Sequence, residues 1–359
     1  MRLGLNLGYW GGDPAQAADS SALALEAERL GFSCVWAAEA YGSDAVSVLG
    51  YLAGRTSKID LGSAVLQIPA RTPAMTAMTA ATLDALTGGR FRLGLGVSGP
   101  QVSEGWHGVA FGQPLPRTRE YVDVVRLALS GRPVAYAGRH VVLPLPDGQG
   151  KPLKLTTGPA RPDLPVYLAA VGPRNVELAG EVADGWLAVF FAPAQSADLL
   201  RHLDAGLARS GRAREDFDIA PTVPLVVADD PVEAADAVRD HVALYVGGMG
   251  SRAQNFYHAS ACRMGYAAAA DTIQDRYLSG DRRGAAAAVP YGLIDATSLL
   301  GDRGRLAERM TAYAAAGVTT LNVSFPQASY PSAPGQPLDE RLHALRTAAE
   351  ALDLSGATA

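Results

Sequence analysis

The residues best suited to chemistry fall in four short segments, each following an apolar run. Glu39 and Tyr41 follow Cys34-Val35-Trp36-Ala37. A carboxylate directly after an apolar strand is costly without a partner, so Glu39 is either a buried acid beside a ligand or an ion-pair partner at the rim. The second segment is Gly62-Ser63-Ala64-Val65-Leu66-Gln67-Ile68-Pro69. Either a strand simply continues to a turn at Pro69, or Ser63, Ala64 and Val65 form a small-residue bulge whose backbone presses on a planar ring. The third, Gly96, Val97, Ser98, Gly99, Pro100 and Gln101, offers free N–H groups and close backbone approach to a phosphate or a ring edge. The fourth, Ala169, Ala170, Val171, Gly172, Pro173 and Arg174, leads into a helix. A helix start with small residues and a nearby arginine suits a phosphate, the plain alternative being an ordinary Gly-Pro helix start. His107, within Glu104-Gly105-Trp106-His107-Gly108, is the histidine best placed for such a site. His258 lies in a long insertion, either as a substrate contact or on a solvated helix face.

Several machineries are missing from the sequence. It has no HExxH, no DxDxDG, no paired-cysteine spacing, no GxSxG elbow and no GxxxxGK[ST] loop, so no metal is expected. Small-residue segments without protein nucleophiles favour a cofactor that carries the bond chemistry while the protein positions it.

The elements that must hold these segments alternate regularly. Short apolar runs followed by 3.6-period segments imply crossover connections and a parallel sheet. Strands are expected at 3–7, 34–37, 60–64, 91–95, 166–169, 186–189, 219–226 and 320–323. Eight is the number that closes a (β/α)8 barrel, whose site lies at the C-terminal strand ends. The first helix is expected to begin at Asp19 or Ser20 and to stop at Gly31; another opens at Thr72-Pro73, and a late one runs from Asp302 to Ala316-Gly317. Three stretches interrupt the alternation: a long loop over about 100–117, a hairpin over 134–165 turning at Pro146-Asp147-Gly148, and a mostly helical insertion over about 247–298 that forms a lid or wall. A doubly wound sheet is the structural alternative, because Gly94-x-Gly96-x-x-Gly99 matches the dinucleotide fingerprint. Against it, Gly94 falls inside a strand and the residues from Pro100 onward read as loop.

The totals are compatible with one barrel domain spanning residues 1–359. Hydrophobic residues make up 48% and charged residues 19%, a core-forming composition. A net charge of -5 leaves no basic stripe for nucleic acid. Of the two cysteines, Cys34 reads as a small core residue. The start is strand-like and no run is long enough to span a bilayer, so a cytoplasmic protein is expected.

In the order and spacing of these segments the chain resembles the bacterial luciferase-like superfamily of flavin and deazaflavin oxidoreductases. The resemblance covers nearly the whole length. It rests on Gly31-Phe32-x-x-Val35-Trp36, Leu61-Gly62-Ser63-Ala64-Val65, Arg90-Phe91-Arg92-Leu93-Gly94-Leu95-Gly96 and Leu164-Pro165-Val166-Tyr167-Leu168-Ala169-Ala170-x-Gly172-Pro173. Ser98-Gly99-Pro100-Gln101-Val102-x-Glu104-Gly105-Trp106-His107-Gly108 and Tyr245-Val246-Gly247-Gly248-Met249-Gly250-Ser251 are most similar to its coenzyme F420-dependent branch. The resemblance implies a hydride-transferring enzyme acting on a small organic substrate, with an FMN-dependent monooxygenase as the alternative and a carrier without turnover as a third reading. It implies a cis peptide at Ala64-Val65, ring contacts from Gly96 to Gln101, a phosphate-side contact from Ala170 to Arg174, and, by analogy, a homodimer. Cationic residues near the mouth, such as Arg174 or Arg252, would suit the polyglutamate tail of F420. Better-known F420 enzymes of the superfamily carry Asp-His after the second strand, where this chain has Glu39-Ala40. The proton relay is therefore expected at other residues, with Tyr41 and His107 as candidates beside Glu39.

Overall fold

The computed structural model describes residues 1–9, 14–159, 161, 163–326 and 336–357. The chain begins β1 (Arg2–Asn6), α1 (Pro14–Arg29), β2 (Cys34–Ala37), α2 (Ala45–Ala53), β3 (Asp60–Ser63), β4 (Leu66–Gln67) and α3 (Pro73–Leu86). It continues β5 (Phe91–Gly96), α4 (Pro100–Gly105), α5 (Pro114–Leu129), β6 (Tyr136–Ala137), β7 (Val142–Leu143), β8 (Val166–Ala169), α6 (Pro173–Val182), β9 (Gly185–Val189) and α7 (Ala197–Ser210). After β10 (Asp218–Val227) come α8 (Pro231–Ala243), α9 (Phe256–Arg263), α10 (Ala267–Leu278), α11 (Arg282–Ala287) and α12 (Tyr291–Ala296). The last elements are β11 (Leu299–Gly301), α13 (Arg303–Ala315), β12 (Thr320–Ser324) and α14 (Leu338–Ser355).

The strands close a parallel barrel in the order β1-β2-β3-β5-β8-β9-β10-β12, with β12 returning to β1. This is the expected (β/α)8 barrel. Its strands are buried on both faces, β5 along its whole length, which is why they read as apolar runs without alternation. β10 is ten residues long, and its outer part pairs with β11, a three-residue strand absent from the expected set. The helix starts follow local chemistry: the side chains of Asp44, Thr72 and Asp302 accept from the N–H groups of Ser47, Met75 and Arg305.

Four expectations are corrected. α1 starts at Pro14 rather than at Asp19 or Ser20, so Ser20 and Ser21 lie buried inside it. Residues 100–117 are not one loop: Pro100 and Pro114 both open helices, as a proline preset for the first helical position can. The dinucleotide reading therefore fails on the closed barrel, not on a missing helix. The hairpin of β6 and β7 turns at residues 138–141, ahead of the turn expected at Pro146-Asp147-Gly148. The strand expected over 60–64 stops at Ser63 and resumes as β4.

The barrel interior is filled in layers. Cys34, Trp36, Tyr167, Leu187 and Ala220 form its apolar centre. The Trp36 indole lies where a Cβ on Gly62 would stand, so only glycine fits there. Trp36 Nε1 donates to Asn322 Oδ1 (2.9 Å), and Asn322 Nδ2 donates to the Ala220 carbonyl (3.2 Å). Below this layer, at the strand starts, Arg92 pairs with Asp60 (2.7 Å) and Asp218 (3.3 Å). Tyr167 and Thr320 donate hydroxyls to Asp218 at 2.9 and 2.8 Å. Burial alone would lower the Arg92 pKa; the surrounding Cys34, Tyr167, Asp60 and Asp218 outweigh it and push the value up, so the guanidinium stays charged.

Replacing Arg92 with Met leaves Asp218 buried against a weakened counter-charge. Urea denaturation of R92M should show a loss of about 3–5 kcal/mol, the usual cost of breaking a buried pair from one side. A loss under about 1 kcal/mol would mean that the plug contributes little.

Candidate active site

The rim of the barrel is organised by a bulge. Between the paired positions Gly62–Arg92 and Leu66–Leu95, the β3–β4 side spends three residues against two on β5. The missing ladder bonds are replaced by Ser63, whose hydroxyl donates to the Gly94 carbonyl (2.8 Å) and accepts from the Gly94 N–H (2.9 Å). Gly94 and Gly96 are needed for this approach: a Cβ on Gly94 would overlap the Ser63 carbonyl, and one on Gly96 would come within 2.5 Å of Val65 Cγ2. The peptide bond Ala64-Val65 is cis. Ala64 and Val65 pack, together with Ala169 at the end of β8, on the apolar centre around Trp36. The structure thus brings the first and last small-residue segments together across β5. In the segment between them, Ser98 is left-handed (φ 62) and donates to Gln67 Oε1 (3.0 Å), while Gln67 Nε2 donates to the Ala40 carbonyl (2.7 Å). This chain of bonds ties the ends of β5, β4 and β2.

Glu39 is the second brace. It is buried, and its oxygens accept from the N–H groups of Ala45 and Gln67 (both 3.2 Å) and from the two Arg71 terminal nitrogens. A carboxylate has about four acceptor sites, and here all are used. Burial alone would lower the Arg71 pKa; the hydrogen bond to Glu39 and the charges of Glu39 and Asp44 reverse this and raise it. Glu39 therefore locks the end of β2 to the start of α2 and the segment after β4.

At β8, Trp186 Nε1 donates to the Ala170 carbonyl (2.8 Å) and Arg263 Nη2 donates to that of Val171 (3.0 Å). Arg174 is exposed and makes no ion pair among the described residues, and the N–H groups of Val171, Gly172 and Arg174 donate to nothing among them. Pro173 is the first residue of α6, behind Gly172. A Cβ on Gly172 would meet open space. The N–H groups of Val97, Ser98, Gly99 and Gln101 are likewise undonated among the described residues. Pro100 opens α4, and a Cβ on Gly99 would find only Gln101 Oε1, at 3.9 Å.

The remaining sequence candidates are scattered. Tyr41 is exposed at the mouth, close to Tyr9 and Tyr245. His107 follows α4 with its Nε2 buried and without a partner, and no hydrogen bond links it to Glu39 or Tyr41 among the described residues. His258 faces Asp271 (2.9 Å) and Cys262 (3.7 Å) within the insertion, and Arg252 pairs with Asp275 there rather than standing free at the mouth. Cys34 is fully buried, and burial pushes its thiol well above the usual range.

Sequence reasoning missed one group. Phe190, next after β9, is ringed by His241, Tyr245 and Tyr257 at centroid distances of 6.4, 5.7 and 5.8 Å. His241 and Tyr245 are one helical turn apart and 4.6 Å between rings. That i, i+4 spacing was readable; the meeting with Phe190 and Tyr257 is tertiary.

A closed parallel barrel with small-residue loops and undonated N–H groups at its C-terminal mouth belongs to the class that binds ligands at strand ends. The family model described as luciferase-like monooxygenase matches residues 5–320, and this chain belongs to that family. It is 45% identical over 331 residues, 90% of this chain and 95% of the other, to a proposed coenzyme F420-dependent oxidoreductase of Mycobacterium tuberculosis. It is 31% identical to the 5,10-methylenetetrahydromethanopterin reductase of Archaeoglobus fulgidus, over 84% of this chain and 87% of that one. Among solved structures, the coenzyme F420-dependent tetrahydromethanopterin reductase of Methanopyrus kandleri superposes with a TM-score of 0.79 at 25% identity, covering 97% of each chain.

Burial pushes His241 from its ordinary 6.5 down to about 4. The unfolded chain then takes up a proton that the folded one refuses. The contribution of His241 to stability is full above pH 6.5 and is lost as pH falls towards 4, by about 1–3 kcal/mol. H241F should unfold with a pH dependence flatter than the parent by that amount over this window, as read by urea titrations at several pH values. Parallel curves for the two proteins would refute the burial account.

Proposed function

We propose that the protein is an oxidoreductase using coenzyme F420 to pass hydride to or from a small organic substrate. The observation that carries this reading is the row of small-residue segments on the neighbouring strands β3–β4, β5 and β8, with undonated N–H groups on the latter two. The preference for F420 over FMN is supported by the relatives named above. The residues fit such a group: the Ala64-Val65 bulge offers a flat apolar support backed by Trp36, Tyr167 and Leu187, and Gly99 and Gly172 leave open space beside donors.

When bound, the deazaflavin supplies a ring carbon that gives or takes hydride. Ala64 and Val65 would support the ring, and the N–H groups of the Val97–Gln101 stretch would donate to its edge. The N–H groups of Val171, Gly172 and Arg174 would hold phosphate, with the Arg174 and Arg263 guanidiniums beside them for an anionic tail. The apolar interior beneath excludes water from the supported face. Of the three catalytic candidates, Glu39 acts as a positioning residue through Arg71 and Gln67, Tyr41 is the proposed proton carrier at the mouth, and the partnerless Nε2 of His107 is the second. An FMN-dependent monooxygenase is the competing reading. No helix among the described residues is long and apolar enough to cross a membrane. A cytoplasmic homodimer completes the proposal, its dimeric part supported by Tyr51, Met75 and Met78 exposed on α2 and α3.

Titration of the purified chain with F420, followed by quenching of cofactor fluorescence, tests the assignment against a parallel titration with FMN. F420 should bind and FMN should bind at least about tenfold more weakly, a difference of about 1.4 kcal/mol. Tight FMN binding without F420 binding would overturn the proposal. G99W, whose side chain enters open space, should keep the parent melting temperature yet weaken F420 by more than about tenfold. Unchanged affinity would remove the Gly96–Gln101 stretch from the site.

A further inference from the structure

The insertion after β10 does not merely cover the barrel; it completes an aromatic enclosure at the mouth. Phe190 comes from the end of β9, His241 from α8, Tyr245 from the turn that follows, and Tyr257 from α9. Tyr245 and Tyr257 meet edge to face, with ring centroids 4.8 Å apart. Tyr9, from the loop after β1, and Tyr41, after β2, lie close enough to act electrostatically on these phenols.

Two backbone irregularities converge on this group. Phe190 is held at φ 51, a left-handed conformation that a bulky residue adopts at a cost and keeps only where the surroundings impose it. Tyr245 is carried on a π-helical turn, Leu244–Gly248. That turn is built for its place: a Cβ on Gly247 would come within 2.6 Å of the Tyr277 side chain, so glycine lets α10 approach. The carbonyls of Tyr245 and Val246 are taken up by Asn255 Nδ2, at 3.1 and 2.8 Å. The same asparagine caps α9 through Oδ1, which accepts from the N–H groups of Tyr257 and His258. One side chain thus fixes both tyrosines relative to each other.

The polar atoms of this enclosure are unpartnered among the described residues. The hydroxyls of Tyr245 and Tyr257 and the ring nitrogens of His241 make no hydrogen bond among the described residues. Among the described residues no carboxylate, guanidinium or ammonium acts on any of the three; other tyrosines act on the two phenols. Flat apolar faces therefore surround a few neutral donors. A charged ligand would lose its hydration there without a counter-charge, whereas an aromatic body would stack and a carbonyl oxygen would meet the donors.

We propose that Phe190, His241, Tyr245 and Tyr257 form the binding site for an uncharged, flat organic molecule bearing a carbonyl group, its oxygen accepting from the two phenols. This assigns a substrate class to the mouth described under Proposed function and rests on that reading for its catalytic relevance. Burial supports the donor roles: it pushes the Tyr257 phenol up to about 12 and the Tyr245 phenol higher still, and it keeps His241 neutral.

The test is calorimetric titration of the full chain, without added cofactor, using 2-acetonaphthone, 2-naphthoate and naphthalene. The ketone should bind at least about tenfold more tightly than the carboxylate, which has the same ring system and a charge. Y245F/Y257F should weaken the ketone by about five- to twentyfold and leave naphthalene unchanged, because only the hydroxyls are lost. F190A should weaken both. Melting curves and circular dichroism on each variant confirm that it is folded. Equal or tighter binding of naphthoate, no measurable ketone binding, or a folded Y245F/Y257F that binds the ketone like the parent would each overturn the proposal. F420 titrated into the same preparation separates the two readings: F420 binding without the ketone removes the enclosure as the substrate site, and ketone binding without F420 removes the cofactor assignment.

Discussion

Trp36 lies across the inside of the barrel, and most of what happens at the mouth depends on how that indole is accommodated. It fits because Gly62 carries no side chain, and it is oriented by Asn322, which is itself held to the Ala220 carbonyl. The ring meets Tyr167 edge to face, 5.2 Å between centroids. Towards the strand ends the small side chains of Ala64, Val65 and Ala169 pack against this layer. Below it, Tyr167 turns its hydroxyl down to Asp218 and so joins the apolar layer to the Arg92 network. The barrel is therefore filled and charged at one end and floored by small residues at the other.

The mouth is made rigid by polar bonds that run between strand ends rather than along strands. Ser63 replaces the ladder that the bulge interrupts, Ser98 and Gln67 connect β5 to β2, and Glu39 gathers Arg71 and two backbone N–H groups. Each of these polar side chains is satisfied inside the protein. In the loops after β5 and β8 it is backbone N–H that stays undonated among the described residues, and that division matters physically. Side chains spent on bracing cannot also bind, whereas N–H groups fixed by the bracing bind without further ordering cost.

The barrel was legible in the sequence because each strand is buried on both faces and reads as an apolar run between glycine and proline punctuation. Val166–Ala169 and Cys34–Ala37 were read to the residue. The errors came where one residue type serves two ends. Pro100 and Pro114 looked like loop residues but open helices, and Asp19 and Ser20 looked like helix caps but sit inside α1. At the mouth, the small-residue segments were visible as composition. The bond partners of Glu39 were not, since Arg71 lies 32 positions away and is joined to it only by the fold. Phe190, His241, Tyr245 and Tyr257 were invisible as a group for the same reason: they come from four elements, and a tyrosine at helical spacing reads as core.

The long insertion gives the mouth two electrically different sides. On the β8 side, Arg263 reaches back from α9 to the Val171 carbonyl next to the exposed Arg174, so the insertion adds positive charge where N–H groups are already free. On the β9 and β1 side, the insertion presents Tyr257 beside Tyr245 and His241 of the preceding turn and helix, all three kept neutral by burial. An anionic group gains from the first side and is penalised on the second, and an uncharged aromatic body has the opposite preference. Two ligands sharing one mouth would otherwise compete for the same surface. Here the electrostatic contrast would order them, and α9 contributes to both sides: its first turn carries Tyr257 and its last residue is Arg263.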